Sequence, residues 1–281
     1  MFTCVDLPSL DGSLESVVEF IPNMSGEEYS HRYIQVDLLG EGHFAQVHKV
    51  VDTQTQRVLA LKQAYTILEV AIPCLLSSTA DATDCIMRVV NWFRLEGDIY
   101  FTTPILGQKI VESFVARLTK TELLALIFEL TIAVKVMGEA GVCHSDLQLG
   151  NILIQKTTLV RVYVVNGRQY VVNSQYTPIV IDFGISKLIE REVTAYHQDP
   201  RMRRKFQNEA EVRTYFQDID WYGLGYVIYD LNGLRGTPSY IGGSLPNPAS
   251  PSLLRDPMFN PLIDEPIYPG TTVKFYREQI V

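Results

Sequence analysis

Residues 33–62 alternate apolar and polar positions and are rich in β-branched side chains. The alternation breaks at Gly40 and Gly42 and again over Asp52–Gln56. A two-residue period puts every second side chain on one face, so this stretch predicts three short antiparallel strands. Residues 1–30 show little periodicity and predict a loose lead-in. Residues 66–77 look helical, although Pro73 lacks a backbone N–H and has to kink or shorten that helix. Two further strands are expected at 86–95 and 99–103 around Glu96-Gly97-Asp98, followed by a connector at Pro104–Gly107.

Past the connector the period changes. Over 109–118 and 121–140 apolar residues recur three and four apart, as on a helix, with Thr119 or Thr121 available to cap the second one. Strands return at 152–155, 159–165, 169–173 and 178–181. Asn166-Gly167 is a strong hairpin signal between the second and third. Residues 219–231 predict an apolar, aromatic helix. Beyond Asn232 the chain is rich in Gly, Pro and Ser without a helical period. The expected organisation is a lead-in (1–30), a small β-rich lobe of five strands and one helix (31–105), and a mainly helical lobe carrying a β-hairpin (106–281). That is an α+β, two-lobed architecture.

Composition narrows the setting. The chain has 281 residues, 47% of them apolar, enough to bury a sizeable core. Its net charge of −8 argues against bulk electrostatic binding to nucleic acid or membrane. The apolar run Leu123–Val136 carries Glu129 and Lys135 and is shorter than a bilayer span. No basic stretch leads into an apolar core at the N-terminus, so no signal peptide is expected. The four cysteines have no paired spacing, which reads as thiols in a reducing compartment. A monomer inside a cell, in cytoplasm or nucleus, is the expectation.

Candidate chemistry concentrates in four segments. Leu39-Gly40-Glu41-Gly42-His43-Phe44-Ala45-Gln46-Val47 lies between two strand patterns, where glycines let backbone N–H groups approach phosphate oxygens. A plain hairpin turn explains it equally well, and Ala45 replaces the third glycine of such loops. Lys62 ends an apolar strand, either snorkelling at its edge or offering a cation to phosphates. Glu69 is the only acidic residue on the following helix and is assigned as its partner, with Asp81 and Asp84 as competitors. In His144-Ser145-Asp146-Leu147-Gln148-Leu149-Gly150-Asn151, Asp146 can accept a hydroxyl proton. Asn151 can give an oxygen to Mg²⁺, which favours hard ligands. His144 reads as a packed structural imidazole. Asp182-Phe183-Gly184 follows an apolar strand; Asp182 offers a second metal ligand and Gly184 lets the chain turn away. In this order the set is what phosphoryl transfer from ATP requires.

These motifs resemble the eukaryotic protein kinases over about residues 33–231. The resemblance implies two lobes with ATP and Mg²⁺ in the cleft between them, and phosphorylation of Ser/Thr or Tyr on a protein. Carried over by position, Lys62 matches the phosphate lysine, Glu69 its helix partner, Asp146 the catalytic aspartate, and Asn151 and Asp182 the metal ligands. Residues 39–45, Val47 and Ala60 fall where the family contacts the nucleotide. A narrower similarity links Leu68–Leu76, the run from Asp146 to Leu159, the Asn166-Gly167 hairpin and Ile181–Leu188 to haspin, a divergent Ser/Thr kinase, or to a viral-type relative. Haspin kinship implies a histone-like substrate. Haspin itself departs from the Asp-Phe-Gly that this chain keeps.

The pattern also departs from the family. Ser145 stands in place of the usual arginine, which implies activity without activation-loop phosphorylation. Gln148 replaces the lysine typical of Ser/Thr kinases. No Ala-Pro-Glu follows Gly184. Asp220, or Asp218 in another register, matches the aspartate that steadies the catalytic loop. The usual terminal helices have to be trimmed or replaced. Arg201–Lys205 is the one dense basic run, read as a solvated loop, an acidic-substrate steer or a nuclear-import signal. Rival readings are a pseudokinase scaffold and a small-molecule kinase of the aminoglycoside or choline type.

Overall fold

The computed structural model describes residues 21–41, 45–78, 83–234, 250–263, 267 and 271–277. The described residues divide into two compact units. Among the described residues, the first draws on 21–41, 45–78, 87–106 and 182–186; the second on 83–86, 107–181, 187–234, 250–263, 267 and 271–277.

In the first unit, α1 (Gly26–Arg32) lies within the stretch expected to be a loose lead-in. Its signal is local: Ser25 accepts from the Glu28 N–H at 3.2 Å and donates its own N–H to the Glu28 carboxylate at 2.8 Å, a reciprocal cap. Five antiparallel strands follow: β1 (Tyr33–Glu41), β2 (Gln46–Asp52), β3 (Arg57–Gln63), β4 (Asn91–Leu95) and β5 (Asp98–Pro104), in the order β1-β2-β3-β5-β4. The inward positions of the alternation, Tyr33, Val50, Leu59, Leu61 and Phe93, form its core. The strand expected from residue 86 begins only at Asn91; Ile86 belongs to the second unit, where it bridges Val180. Helix α2 (Leu68–Ser78) runs straight on through Pro73 for five more residues. Proline in the second turn removes only the bond to the Glu69 carbonyl, too little to end the helix.

In the second unit, β6 (Gln108–Lys109) and a single turn, α3 (Glu112–Val115), replace the longer helix expected over 109–118. Helix α4 (Lys120–Glu139) is capped by Thr119, whose hydroxyl accepts from the Glu122 N–H at 3.1 Å. Then come β7 (Val142–Cys143), a 3-10 turn at Leu149–Asn151, β8 (Ile152–Lys156), β9 (Val160–Val165), β10 (Arg168–Val172) and β11 (Tyr176–Val180). Asn166 and Gly167 both have positive φ, 50° and 71°, the turn that a tight right-twisted hairpin needs, so β9 and β10 pair as expected. After β12 (Lys187–Leu188) the chain forms α5 (Ile189–Gln198), α6 (Pro200–Lys205) and α7 (Glu209–Leu234). The basic run is thus a helix, and α7 starts ten residues before the expected 219. Two 3-10 turns (Pro251–Arg255, Pro257–Phe259), α8 (Asn260–Ile263) and β13 (Val273–Arg277) complete the described chain. Strand β13 runs parallel to β9 and widens the hairpin to three strands.

A buried charge network ties this small sheet to α4. Glu129 and Arg161 are 0% and 1% exposed; the guanidinium meets the carboxylate through Nε and through Nη2, the latter at 3.2 Å. Arg161 spends its other N–H groups on the carbonyls of Leu159, Ser174 and Tyr176, and Tyr163 donates to Glu129 at 2.8 Å. Such a pair is tolerated only with its hydrogen bonds satisfied. Asp84 holds the Lys274 ammonium at 2.7 Å and the Tyr276 hydroxyl on β13. It is therefore engaged elsewhere and is no competitor of Glu69, while Asp81 lies outside the described residues.

Candidate active site

Two constellations form, one within each unit. In the first, Lys62 sits on the central strand β3, opposite Val47 on one side and Phe101 on the other. Its ammonium donates to Glu69 Oε1 on α2 and, at 3.0 Å, to Asp182 Oδ1. The second Glu69 oxygen accepts the Tyr65 N–H at 2.9 Å, so the carboxylate is aimed from both sides. Burial pushes the Glu69 carboxyl up, with the Lys62 ammonium pulling against it. Burial also works to lower the Lys62 pKa, but the carboxylates of Glu69 and Asp182 outweigh it and hold the group above its ordinary value, charged at neutral pH.

Asp182 adopts φ 67° and takes the left-handed turn itself. Gly184, expected to let the chain turn away, is not among the positive-φ residues. Thr66 donates to the Gly184 carbonyl at 3.2 Å and fastens this segment beside α2, and Phe183 is fully buried.

The residues expected to meet the nucleotide divide by the pleat. Gly40 pairs with Val47, Val47 with Lys62, and Ala60 lies two positions from Lys62, so these four share one face of the sheet. Leu39 falls in the register shift between Leu38 and Gly40. Glu41 points to the other face by alternation, where its carboxylate accepts from the Gln46 amide at 3.3 Å. Ala45 directly precedes β2. Gly42, His43 and Phe44 lie outside the described residues.

In the second unit, α7 organises the catalytic-loop candidate. Asp220, 3% exposed, accepts the N–H of His144 at 2.6 Å and of Ser145 at 2.9 Å, which selects it over Asp218. Burial pushes its carboxyl up, and the two N–H groups oppose that. Those bonds hold Ser145 at φ 68°, an uncommon state for a residue with a Cβ. His144 donates from Nε2 to the Ile181 carbonyl at 2.9 Å and accepts the Asp146 N–H on Nδ1 at 3.3 Å. Both ring nitrogens are occupied, as a structural imidazole requires. Gly223 of α7 lets the loop approach: a Cβ there would lie 2.8 Å from the Leu147 carbonyl oxygen.

Asp146 is bracketed by amides. Asn151 donates to its Oδ2 at 2.8 Å and to its carbonyl at 2.9 Å, and Gln148 donates to Oδ1 at 2.8 Å. The Asn151 amide is thereby turned so that its Oδ1 is left for another ligand. The Gln148 contact was not foreseen; its signal was the two-residue spacing from Asp146, within reach of a side-chain amide. Among the described residues no three His, Cys, Asp or Glu side chains cluster as a metal cage. Mg²⁺ needs none, since one or two protein oxygens plus substrate phosphates complete its shell. The half-exposed Asp182 carboxylate in the first unit and the Asn151 Oδ1 in the second are each a hard oxygen donor of the type Mg²⁺ takes.

The model of the protein kinase domain matches residues 33–241. This chain belongs to the protein kinase domain family. It is 24% identical over 229 residues to the mitogen-activated protein kinase mpkC of Aspergillus clavatus, covering 76% of this chain and 53% of that protein. It is 25% identical over 240 residues to the serine/threonine-protein kinase ppk5 of Schizosaccharomyces pombe, covering 79% of this chain and 26% of that one. With the mitogen-activated protein kinase HOG1 of Eremothecium gossypii it shares 24% over 229 residues, 76% of this chain and 45% of the other. The chain thus spans about half or less of these relatives' length. As a kinase domain it has the β-rich N-terminal and helical C-terminal parts expected of the α+β fold.

Proposed function

We propose that this chain is an ATP- and Mg²⁺-dependent protein kinase specific for serine and threonine. The observation that carries the reading is the sharing of one part-buried ammonium, Lys62, between buried Glu69 and an aspartate 120 positions away, Asp182. Burying the Glu69 carboxylate costs desolvation, and a trio so arranged at the edge of solvent is more typical of a functional site than of a packed core.

Lys62, steered by Glu69, binds the α- and β-phosphates of ATP. Asp182 and Asn151 offer oxygens to the metal, which when bound neutralises charge on the transferring phosphoryl group. Asp146 orients the acceptor hydroxyl and takes its proton as the oxygen–phosphorus bond forms, and ADP leaves with the electrons of the broken bond. The amides of Gln148 and Asn151 hold that carboxylate in one rotamer until a substrate hydroxyl replaces a partner. The hairpin between Asn151 and Asp182 supports a haspin-like member. The buried thiols of Cys74, Cys85 and Cys143 support a monomer working in a reducing compartment, cytoplasm or nucleus.

The test is a radiolabelled-ATP assay on histone, casein and myelin basic protein, with Asp146→Ala and Asp182→Asn beside the parent and circular dichroism to verify folding. Transfer to serine or threonine by the parent alone is the expected result; label retained in either variant overturns the assignment. The Gln148 amide on Asp146 favours a scaffold as second reading. That reading requires Mg²⁺-dependent nucleotide stabilisation in thermal unfolding without transfer to any substrate.

A further inference from the structure

Arg201–Lys205 forms helix α6 in a chain of net charge −8, and its four cations have different fates. Arg201 is tied to Asp199 by a fork of contacts between 2.8 and 3.2 Å. Lys205 lies 4.4 Å from the centre of the Tyr215 ring. The side chains of Arg203 and Arg204 are exposed; the Arg203 N–H donates to the Asp199 carbonyl at 3.3 Å, and Arg204 acts on the Asp199 carboxylate only through space, leaving both guanidinium groups facing solvent. Two exposed guanidinium groups on one short helix, with the Asp199 carboxylate already engaged by Arg201, offer forked donors to anions.

The helix is held in place. Asp199 caps it and Pro200 opens it. Phe206 at its end is buried in a cluster with Cys143, and Met202 packs against that cluster. Cys143 also pairs with Lys187, and the Ile189 N–H donates to the Gly141 carbonyl at 2.8 Å. The stretch carrying the arginines is therefore hung on the residues that lead directly into Asp146. A cation pair fixed to the root of the loop that receives the acceptor hydroxyl is placed to act on what flanks that hydroxyl.

Resting on the protein-kinase reading, we propose that Arg203 and Arg204 select substrates with Asp or Glu flanking the phosphorylated residue. The pair grips flanking carboxylates while Asp146 holds the hydroxyl, so its contribution falls on KM more than on kcat.

The test compares two peptides with one acceptor serine, flanked by Glu and Asp in one and by Gln and Asn in the other. For Arg203→Gln/Arg204→Gln, kcat/KM on the acidic peptide should fall about fivefold or more through KM, with the neutral peptide unchanged. Arg203→Glu/Arg204→Glu should shift preference to a Lys-flanked peptide. No preference in the parent, or equal losses on both peptides, overturns the proposal. If the parent phosphorylates neither peptide, the protein-kinase reading fails instead. Fluorescence anisotropy with the labelled acidic peptide then still reads the surface: weakening by about fivefold in the variant supports it, and unchanged binding overturns it. A labelled oligonucleotide bound as tightly as the peptide, with the same dependence on the arginines, also overturns it.

Discussion

The Asp220 carboxylate reaches back 76 positions to accept the His144 N–H at 2.6 Å, and the next N–H, of Ser145, at 2.9 Å. Two backbone donors on one buried carboxylate keep Ser145 in its left-handed conformation, and Asp146 follows directly. Asp220→Ala should leave both donors unpaired, costing about 1–3 kcal/mol in urea unfolding. It should also lower kcat at least tenfold. Asp220→Asn, which keeps one acceptor oxygen, should retain more activity. Equal kcat in the parent and the alanine variant would show that the loop keeps its shape unaided.

Gly223→Ala places a methyl group 2.8 Å from a backbone oxygen of Leu147, which cannot swing aside as a side-chain tip can. Either α7 or the catalytic loop has to move, and kcat should drop along with stability. Gly138→Ala is the control, since nothing lies within 4 Å of its Cβ position in α4. There the gain in helix propensity should stabilise by about 0.5–1 kcal/mol with activity intact. Thermal unfolding and steady-state rates on both variants test the contrast, and a harmless Gly223→Ala refutes it.

Removing one member of the Glu129–Arg161 pair should cost far more than removing both. Glu129→Ala strands a buried guanidinium, at about 3–5 kcal/mol. Glu129→Met with Arg161→Met removes both charges and should recover part of that. Recovery stays incomplete because the Leu159, Ser174 and Tyr176 carbonyls lose their donor. Urea denaturation of the single and double variants supplies the cycle; strict additivity would contradict this account.

Arg32 hydrogen-bonds the Asp52 carboxylate at 3.3 and 3.4 Å. Burial acts to raise the Asp52 pKa, but Arg32 and the Gln54 N–H outweigh it and hold the group below its ordinary value. A depressed folded-state pKa means stability that is fully present above the unfolded value, near 3.9, and lost as pH falls through the folded value. Unfolding free energy should therefore decline below about pH 4, and less steeply in Asp52→Asn. Parallel pH profiles for the two proteins would remove Asp52 from the explanation.

No arginine precedes Asp146 to hold a phosphorylated segment. The residues after Lys187 are anchored instead by the Lys187–Cys143 pairing and by Phe206 in its apolar cluster. Phosphatase treatment should leave the rate within about twofold of the untreated protein, with mass spectrometry verifying removal. A collapse of activity would mean that the packing is not sufficient.

Local signals carried much of the architecture. The alternation over 33–62, the Asn166-Gly167 turn and the Thr119 cap each act within a few residues, so the chain announces them directly. Of the candidate site residues, Lys62 meets Glu69 and Asp182, and Asp146 meets Asn151 five positions on. What escaped depends on distant partners. Strand β13 is five residues long and pairs with a strand more than one hundred positions earlier. The polar stretch of α7 ahead of residue 219 shows only Val212 and Phe216 as buried positions, four apart, too sparse a stripe to announce a helix. Glu129 looked like an interruption of an apolar run, because its reason for being there is Arg161.

That last pairing sets the terms on which this molecule can vary. The long helix carries a charge that only the hairpin answers, so neither can be exchanged alone. A hybrid with this helix but without the hairpin receives a question without its reply.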